Sequence, residues 1–539
     1  MKNLNKNNRL HLEIQTHRAN PYGLIRSTYR ENGKIKHQMH SRISGVDIDT
    51  LKLIQAALQG DVVLKSDFKI LSSKEYGASY ACHQLAKNLG LDKAIYSRTN
   101  ESWVKDCLAM IVGRLVYAGS KLSLSKVTKD SSLWEICGIS DSQIDVDVHC
   151  YDAMDRLIER QDDIQKHLAK KHLDNNTMIF YDITSSYLEG EYDESEIVKF
   201  GYNRDQKKGH EQIVIGLLCN KDGCPISVEV FRGNTKDEST VLGKVSEIKK
   251  KYNIENAVFV GDRGMVTKAN FDKIENDDYI RTISALTHNQ IRTLCNTEKT
   301  QLSMFDEKNI IETTDGKLRY ALCKNPDVEA KTKNQRVALL SKTEEALNKI
   351  ANSTQKATSE KIGIRIGKVL NRYKMGKFVE LTIVDNNFTW SFNSEKIKNE
   401  ALFDGCYVIS TDVSAEEMTI VEVVKNYKKL IQVEQAFRSL KTTRLEIRPI
   451  YHKKDERIKC HVFICMLAFY LMWNMKKMLK SLFENGGIGK DREYTFDYII
   501  ERLKSIRNES VDFNGIKSNV ITERDSNQEH ILNLLNVKM

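Results

Sequence analysis

The chain carries an acid inside an apolar run, at Phe180-Tyr181-Asp182-Ile183-Thr184. The apolar residues 178–183 predict a short buried strand. A carboxylate at the end of such a strand is costly to desolvate, so it must be paired, hydrogen-bonded or bound to a cation. The neighbouring Tyr and Thr are typical of strands, and packing is their favoured role. Asp182 is therefore the first candidate functional residue.

A second acid has a similar setting, at Val260-Gly261-Asp262-Arg263-Gly264. Residues 257–260 predict another short strand, and the two glycines would permit a sharp turn around Asp262. A divalent cation shared between Asp182 and Asp262 would satisfy both carboxylates.

The segments around these acids predict a defined series of elements. They are strands at 178–183, 213–218 and 226–231, with a Lys221-Asp222-Gly223 turn between the last two, a helix at 237–251, and strands at 257–260 and 279–284. Three antiparallel strands, a helix and a further strand is the order of a ribonuclease-H-like sheet. In that sheet the strands of Asp182 and Asp262 lie side by side, which brings the two acids together.

A third acid lies on a basic helix predicted at about 415–440. Tyr427, Glu434 and Lys441 are seven residues apart, so on a continuous helix they share one stripe to within about 40°. Arg438 joins the same face. Residues 425–460 carry eleven Lys or Arg against four Asp or Glu. Taken alone, this pattern equally fits an amphipathic helix with a solvated basic face.

Glu446 and Glu456 are rival third acids. Glu434 is preferred because it alone has Tyr and Lys seven residues to either side. His452 and His461 also lie near the basic segment, where a structural hydrogen bond is a more common role than phosphate binding.

The composition sets the outer limits. The 539 residues carry a net charge of +10 with a pI near 8.8, which favours a polyanionic partner, and the length predicts two to four folding units. No apolar stretch opens the chain, and the most apolar segment, 462–473, is too short to cross a bilayer and predicts a buried helix.

The eleven cysteines are scattered. The spacings Cys219-x4-Cys224 and Cys460-x4-Cys465 lack the second ligand pair of a zinc site, so reduced core thiols in a cytoplasmic protein are preferred.

In these contexts Asp182, Asp262 and Glu434 resemble the DDE triad of bacterial insertion-sequence transposases, in the group with a Tyr-x2-Arg-x3-Glu-x6-Lys signature. Here the signature reads Tyr427-x2-Leu430-x3-Glu434-x6-Lys441, so Leu430 replaces the Arg. Arg438 or Lys429 are possible substitutes for that lost phosphate contact. The segments 201–205, 229–235, 404–405 and 445–452 are similar to the same group.

The resemblance implies a fold class and a domain order. The fold is α/β, with a ribonuclease-H-like catalytic core interrupted by a mostly β insertion, and a helical N-terminal domain. The segments are an N-terminal β-hairpin region at 1–60, with its turn at Asn32-Gly33, a helical DNA-binding domain at 61–174, core at 175–285, insertion at 286–400, core at 401–484 and a peripheral segment at 485–539. Basic faces at 102–116 and 164–172 are the candidates for recognising terminal inverted repeats.

The resemblance also implies a chemistry. Asp182 would bridge two Mg²⁺ ions, or Mn²⁺ as a substitute, with Asp262 and Glu434 holding one each. Tyr427, Arg438, Lys441 and Arg263 are the expected DNA contacts, although Arg263 could instead pair with a neighbouring acid. Trp390 in the insertion is expected to be a core residue more often than a base-stacking one.

The expected activity is cleavage and joining of double-stranded DNA, at the ends of an element and at its target, by a homodimer. The expected location is the bacterial cytoplasm, in association with the nucleoid and with no membrane partner. Two alternatives stay open: a catalytically inactive DNA-binding relative, and a ribonuclease-H-like nuclease that cuts without strand transfer.

Overall fold

The computed structural model describes residues 10–16, 20–31, 33–59, 68–140, 144–205, 207, 209–254, 256–263, 265, 280–295, 304–306, 309–353, 358–384, 387–485, 493–513 and 515–539. The chain divides into two compact units. The first comprises 1–85, 126–143 and 479–539, and the second comprises 86–125 and 144–478.

The strands are β1 Leu10–Gln15, β2 Tyr22–Glu31, β3 Lys34–Ser44, β4 Phe68–Glu75, β5 Thr177–Tyr187, β6 Gln212–Asn220, β7 Pro225–Arg232, β8 Ala257–Gly261, β9 Ile280–Ala285, β10 Ile311–Asp315, β11 Leu318–Lys324, β12 Val379–Val384, β13 Asn387–Phe392, β14 Cys406–Thr411, β15 Arg507–Phe513 and β16 Ile516–Ile521.

The helices are α1 Ile48–Gln59, α2 Gly77–Asn88, α3 Leu91–Ile95, α4 Ser102–Val116, α5 Lys121–Ser125, α6 Leu133–Ile136, α7 Ala153–Glu159, α8 Gln161–His172, α9 Asp237–Tyr252, α10 His288–Cys295, α11 Pro326–Ala351, α12 Ser359–Tyr373, α13 Ser394–Ala401, α14 Ile420–Lys428, α15 Ile431–Arg438, α16 Asp455–Met478, α17 Lys480–Asn485, α18 Phe496–Lys504 and α19 Ser526–Leu534.

The first unit contains two antiparallel sheets. One has the order β1-β2-β3 and includes the predicted hairpin, although Asn32 of its turn lies outside the described residues. The other has the order β16-β15-β4. The residues after 485 were expected to be peripheral and weakly patterned, but β15 pairs with β4 along its whole length. This pairing was missed because β4 falls in a segment interpreted as helical and its partner is more than 430 residues away.

The second unit is built on an eight-stranded sheet with the order β10-β11-β14-β9-β8-β5-β6-β7. The parallel pairs are β5 with β8 and β8 with β9. In this sheet β7-β6-β5-β8-β9 has the order expected from the sequence, with the strands of Asp182 and Asp262 adjacent. Every residue of β6 is buried, as expected for a central strand covered on both faces.

Helices cover this sheet. The helix α16 packs on β7 together with α8, α15 packs on β5 and β6, and α14 packs on β9, β11 and β14. By length and composition α16 could cross a membrane, but 89% of its most apolar window is buried in the protein. It is therefore a core helix, twice as long as the dozen residues expected. The helix α4 is also almost entirely buried. The prediction of a basic DNA-reading face at 102–116 is therefore wrong.

The insertion differs from the mostly β subdomain that was expected. Two of its strands, β10 and β11, extend the main sheet, and residues 326–401 consist mainly of the helices α11, α12 and α13, with β12 and β13 as a two-stranded sheet. The long run of Lys, Glu, Ala and Leu in α11 favours a helix over strand pairing. Trp390 packs on the cluster of Leu347, Ile362 and Ile366, which is the core role.

Candidate active site

Two adjacent parallel strands bring Asp182 and Asp262 to the same level. Asp182 lies in the middle of β5, which continues to Tyr187 instead of ending at residue 183 as expected, whereas Asp262 directly follows the end of β8. In the register of β5 and β8, Tyr181 lies opposite Gly261, and each acid is the next residue. Gly261 is the last residue of β8, and Gly264 lies outside the described residues. Ser284 on β9 donates a hydrogen bond from Oγ to the carbonyl oxygen of Asp262, at 3.2 Å, which fixes the backbone where β8 ends.

The Asp182 carboxylate is in an unfavourable electrostatic environment. Burial, followed by the negative charge of Asp262, raises the pKa of Asp182 to about 7, and Glu434 contributes in the same direction. The backbone N–H of Ile183, which donates to Oδ1 at 2.7 Å, and the charge of Arg204 offset part of this increase. The site therefore concentrates negative charge from all three predicted acids.

Glu434 reaches the site from a helix that is interrupted. The predicted single helix is split, because α14 ends at Lys428 and α15 begins at Ile431. Leu430, the residue that replaces the signature Arg, lies at this break and is only 4% exposed. Tyr427, Glu434 and Lys441 therefore lie on three successive segments, and the single stripe calculated for a continuous helix does not apply. Glu434 is exposed in the first turn of α15.

Tyr427 contacts a predicted metal ligand directly. Its hydroxyl donates to Oδ1 of Asp262 at 3.4 Å. Burial and the charge of Asp262 raise the pKa of Tyr427 well above its usual range, so the phenol stays protonated. The tyrosine can therefore orient the second carboxylate.

Lys441 is engaged within the protein. Its Nζ lies 3.3 Å from Oδ1 of Asp205, and an Arg448 guanidinium nitrogen lies 2.9 Å from Oδ2 of the same carboxylate. Only 11% of the Lys441 side chain is exposed. Asp205 and Arg448 lie in the segments 201–205 and 445–452, which resemble the same group of transposases in sequence. No role was predicted for either residue, and that similarity was the only sequence signal for them.

Arg263 and Arg438 are the exposed members of the predicted DNA contacts. Arg263 also lines a cavity of about 340 Å³, together with Tyr427, Lys428, His288 and the aromatic ring of Phe403. One lining residue, Tyr427, contacts Asp262, and the lining also includes the carboxylate Asp404.

Two exposed aromatic residues near the site were not singled out from the sequence. Phe200 is 66% and Tyr202 is 86% exposed. They lie in the loop that ends at Arg204, whose charge acts on Asp182.

The remaining candidates have structural roles. His461 is buried and lies 2.7 Å from Nζ of Lys121 and 2.9 Å from the Ile447 carbonyl oxygen. His452 packs edge-on against Tyr151. Of the rival acids, Glu456 pairs with Lys459 on the exposed start of α16.

The donor chemistry of Asp182, Asp262 and Glu434 fits a divalent cation. Burial and the neighbouring carboxylates raise the pKa of Asp182, and such a group of acids gains from a hard cation that prefers oxygen ligands. As the side chains stand, no group of three His, Cys, Asp or Glu residues in the described part of the chain already converges on one metal position.

The comparisons with known proteins agree with this geometry. The family model of the transposase DDE domain matches residues 177–471, which is more than half of the chain and spans all three acids. Comparison with curated proteins gives no match. The family implies a ribonuclease-H-like α/β fold, in line with the mixed sheet, and a function on DNA. This chain belongs to the transposase DDE domain family.

Proposed function

We propose that this protein is a DNA transposase that binds the ends of an insertion sequence and catalyses metal-dependent strand cleavage and strand transfer. The observation that carries the proposal is the adjacent placement of Asp182 within β5 and Asp262 at the end of β8, with the charge of Glu434 acting on Asp182. A family match without these acids would be equally compatible with an inactive relative.

Asp182, Asp262 and Glu434 would hold Mg²⁺, or Mn²⁺ in its place. When bound, such ions stabilise the attacking and leaving oxygens of an in-line displacement at phosphorus. The protein's own contribution is to fix the carboxylates. Asp182 is held by the Ile183 N–H, Asp262 by the Tyr427 hydroxyl, and Glu434 by the packing of α15 on β5 and β6.

DNA binding beside the acids is assigned to exposed groups. Arg263, Arg438 and Lys428 are cations at the surface around the site, suited to phosphate oxygens. Phe200 and Tyr202 offer aromatic faces for bases next to the cleaved position. Lys441 is removed from this set because Asp205 already binds it.

Recognition of the element ends is assigned to residues outside the catalytic sheet. In α8 the side chains of Lys166, Lys170 and Lys171 are exposed, which leaves this helix as the candidate from the helical segment. A homodimer that holds two DNA ends is part of the proposal and rests on the family.

The test is Mg²⁺-dependent cleavage and joining of DNA that carries the element's own ends, with wild-type protein and Glu434→Gln. This substitution removes the charge and nearly keeps the shape. We expect cleavage to fall by about 1000-fold or more while end binding is retained. Glu446→Gln is the matched control, because Glu446 is the rival acid in the same basic segment, and it should cleave normally.

Three outcomes would contradict the proposal. Equal cleavage by wild type and Glu434→Gln, with loss in Glu446→Gln, would move the third ligand to Glu446. Cleavage without any product joined to target DNA would favour the nuclease alternative. Binding of ends without cleavage by the wild type would favour an inactive DNA-binding relative.

A further inference from the structure

We infer that Asp205 is a positioning residue, which holds the segment bearing Glu434 against the strand bearing Asp182. The inference rests on the proposed function, because it concerns how two of the proposed metal ligands are kept in register. It starts from one carboxylate that binds two cations distant in sequence: Oδ1 lies 3.3 Å from Lys441 Nζ, and Oδ2 lies 2.9 Å from an Arg448 guanidinium nitrogen.

The loop that carries Asp205 is tied to β5. The backbone N–H of Arg204 donates to Ser185 Oγ at 2.9 Å, and Ser185 is three residues after Asp182 on the same strand. The preceding turn is closely packed, since a Cβ at Gly201 would lie 2.0 Å from the Gly233 carbonyl oxygen. Asp205 therefore has a position fixed relative to the first acid.

The two cations belong to the segment that follows Glu434. Lys441 lies in the π-helical turn Ser439–Thr443, which continues directly from α15. The chain then folds back, with the Ile447 N–H donating to the Leu440 carbonyl oxygen at 2.8 Å. Arg448 lies over the Tyr187 ring at the end of β5, 4.5 Å from its centroid. The carboxyl end of α15 is thus attached to β5 through Asp205.

This attachment matters because the amino end of α15 is at a helix break. The regular α-helical hydrogen bonding is interrupted at Lys429 and Leu430, where tighter bonds such as that from the Leu430 N–H to the Tyr427 carbonyl oxygen replace it. Anchors on α15 itself therefore help to fix the position of Glu434. The buried side chains Val433, Ala436 and Phe437 of α15 supply one. Asp205 supplies the other, at the end nearer to Lys441.

The side chains of Asp205, Lys441 and Arg448 are only 22%, 11% and 17% exposed. Burial lowers the pKa of Lys441, and Asp205 opposes that decrease. Without the carboxylate, two neighbouring cations of low exposure would repel each other, and breaking such a pair costs more than the pair contributes. Relief would come from movement of the 439–448 segment, which would carry Glu434 with it.

The experiment compares wild type with Asp205→Asn and Asp205→Glu in single-turnover cleavage across a Mg²⁺ titration, with end binding and thermal unfolding measured in parallel. We expect Asp205→Asn to slow cleavage at limiting Mg²⁺ by about 10- to 100-fold and to raise the Mg²⁺ concentration for half-maximal rate, with end binding retained. Asp205→Glu should recover part of the rate because it restores the charge.

Asp155→Asn is the matched control. Asp155 also binds an arginine, Arg457, with nitrogen to oxygen distances of 2.7 and 2.8 Å, but on α7, away from the three acids. It should lower thermal stability without changing the Mg²⁺ dependence. Should Asp205→Asn fail to fold, Arg448→Gln removes one of the two partners and should shift the Mg²⁺ dependence in the same direction.

An unchanged Mg²⁺ titration in folded Asp205→Asn would overturn the inference. So would a loss of end binding equal to the loss of cleavage, because that would make Asp205 part of the DNA surface. Failure of the proposed function is distinguishable, since in that case the wild type itself would not cleave.

Discussion

Asp182 and Asp155 belong to the same unit and are the same residue type, yet their electrostatic environments are opposite. Asp182 faces Asp262 and Glu434, and its pKa is raised to about 7. Asp155 accepts two hydrogen bonds from Arg457, which lower its pKa. The first carboxylate is only partly compensated, by Arg204 and the Ile183 N–H, and the second has a dedicated cation.

The difference separates two uses of a buried or half-buried acid. A paired carboxylate joins two helices, here α7 and α16, and its role is to stabilise the folded chain. Carboxylates that repel one another leave the folded chain with a free-energy cost that protonation or an added cation removes. On this criterion Asp182 and Asp262 fit the proposed cation site, and the Asp155–Arg457 pair is a structural ion pair.

The largest expected effect is on DNA cleavage, and it tests whether Asp182 and Asp155 have different roles. Asp182→Asn should reduce DNA cleavage in Mg²⁺ by about 1000-fold or more, because a central metal ligand loses its charge. Asp155→Asn should stay within about threefold of wild type once stability is matched by lowering the temperature. Single-turnover cleavage of end-containing DNA measures both. Equal losses of cleavage in the two variants would mean that charge compensation does not distinguish a cation site from a structural ion pair.

A second prediction concerns a substitution that places a charge at a buried apolar position. Leu430→Arg restores the family signature but places a guanidinium at a position only 4% exposed. We expect a loss of about 3 kcal/mol in the free energy of unfolding, measured by urea denaturation, and no gain in cleavage. Lys429→Arg is the control at the neighbouring position. A stable and more active Leu430→Arg would show that the break at 430 can repack to admit the signature Arg.

The smallest predicted effects are on the unfolding temperature of the metal-free protein, where Asp182→Asn and Asp155→Asn should act in opposite directions. At pH 8, Asp182→Asn should raise the unfolding temperature, and Asp155→Asn should lower it, each by about 2–4 °C, for contributions of about 1 kcal/mol. Circular dichroism at several pH values provides the measurement.

The pH dependence follows from the sign of each pKa change. The folded-state pKa of Asp182 is raised, so the folded protein keeps a proton that the unfolded chain has released. Stability therefore falls as pH rises from about 4 to about 7, and the gain from Asp182→Asn should vanish near pH 4. The pKa of Asp155 is lowered, so its stabilisation is present above about pH 4 and disappears below. Parallel curves for the two variants would contradict the comparison.

Much of the catalytic sheet was predictable because its signals are local. The first half of β5 and the strands β6 to β9 are short apolar runs, and their order placed Asp182 beside Asp262, although β5 continues through polar residues to Tyr187. The broken helix was harder. Residues 415–440 are compatible with one continuous helix, and the break at Leu430, whose side chain is buried, has no local signal in the sequence.

Other features depend on partners that local patterns do not reveal. β4 is a strand because β15 lies beside it, and β10 and β11 join the main sheet because β14 returns after the insertion. The Asp205 contacts join residues more than 230 positions apart. Lys441 was predicted to bind DNA. Its pairing with Asp205 was missed because the sequence around a lysine does not reveal an acidic partner in a distant loop.

The position of β14 has a consequence for how the protein is made. β9 is complete at residue 285, but its outer neighbour in the sheet begins only at residue 406. During synthesis the growing chain therefore exposes one unpaired strand edge while the whole helical insertion is added. Open edges of this kind promote association between chains, so fragments that end before residue 406 should aggregate, and the amphipathic insertion is the part best placed to shield that edge until β14 arrives.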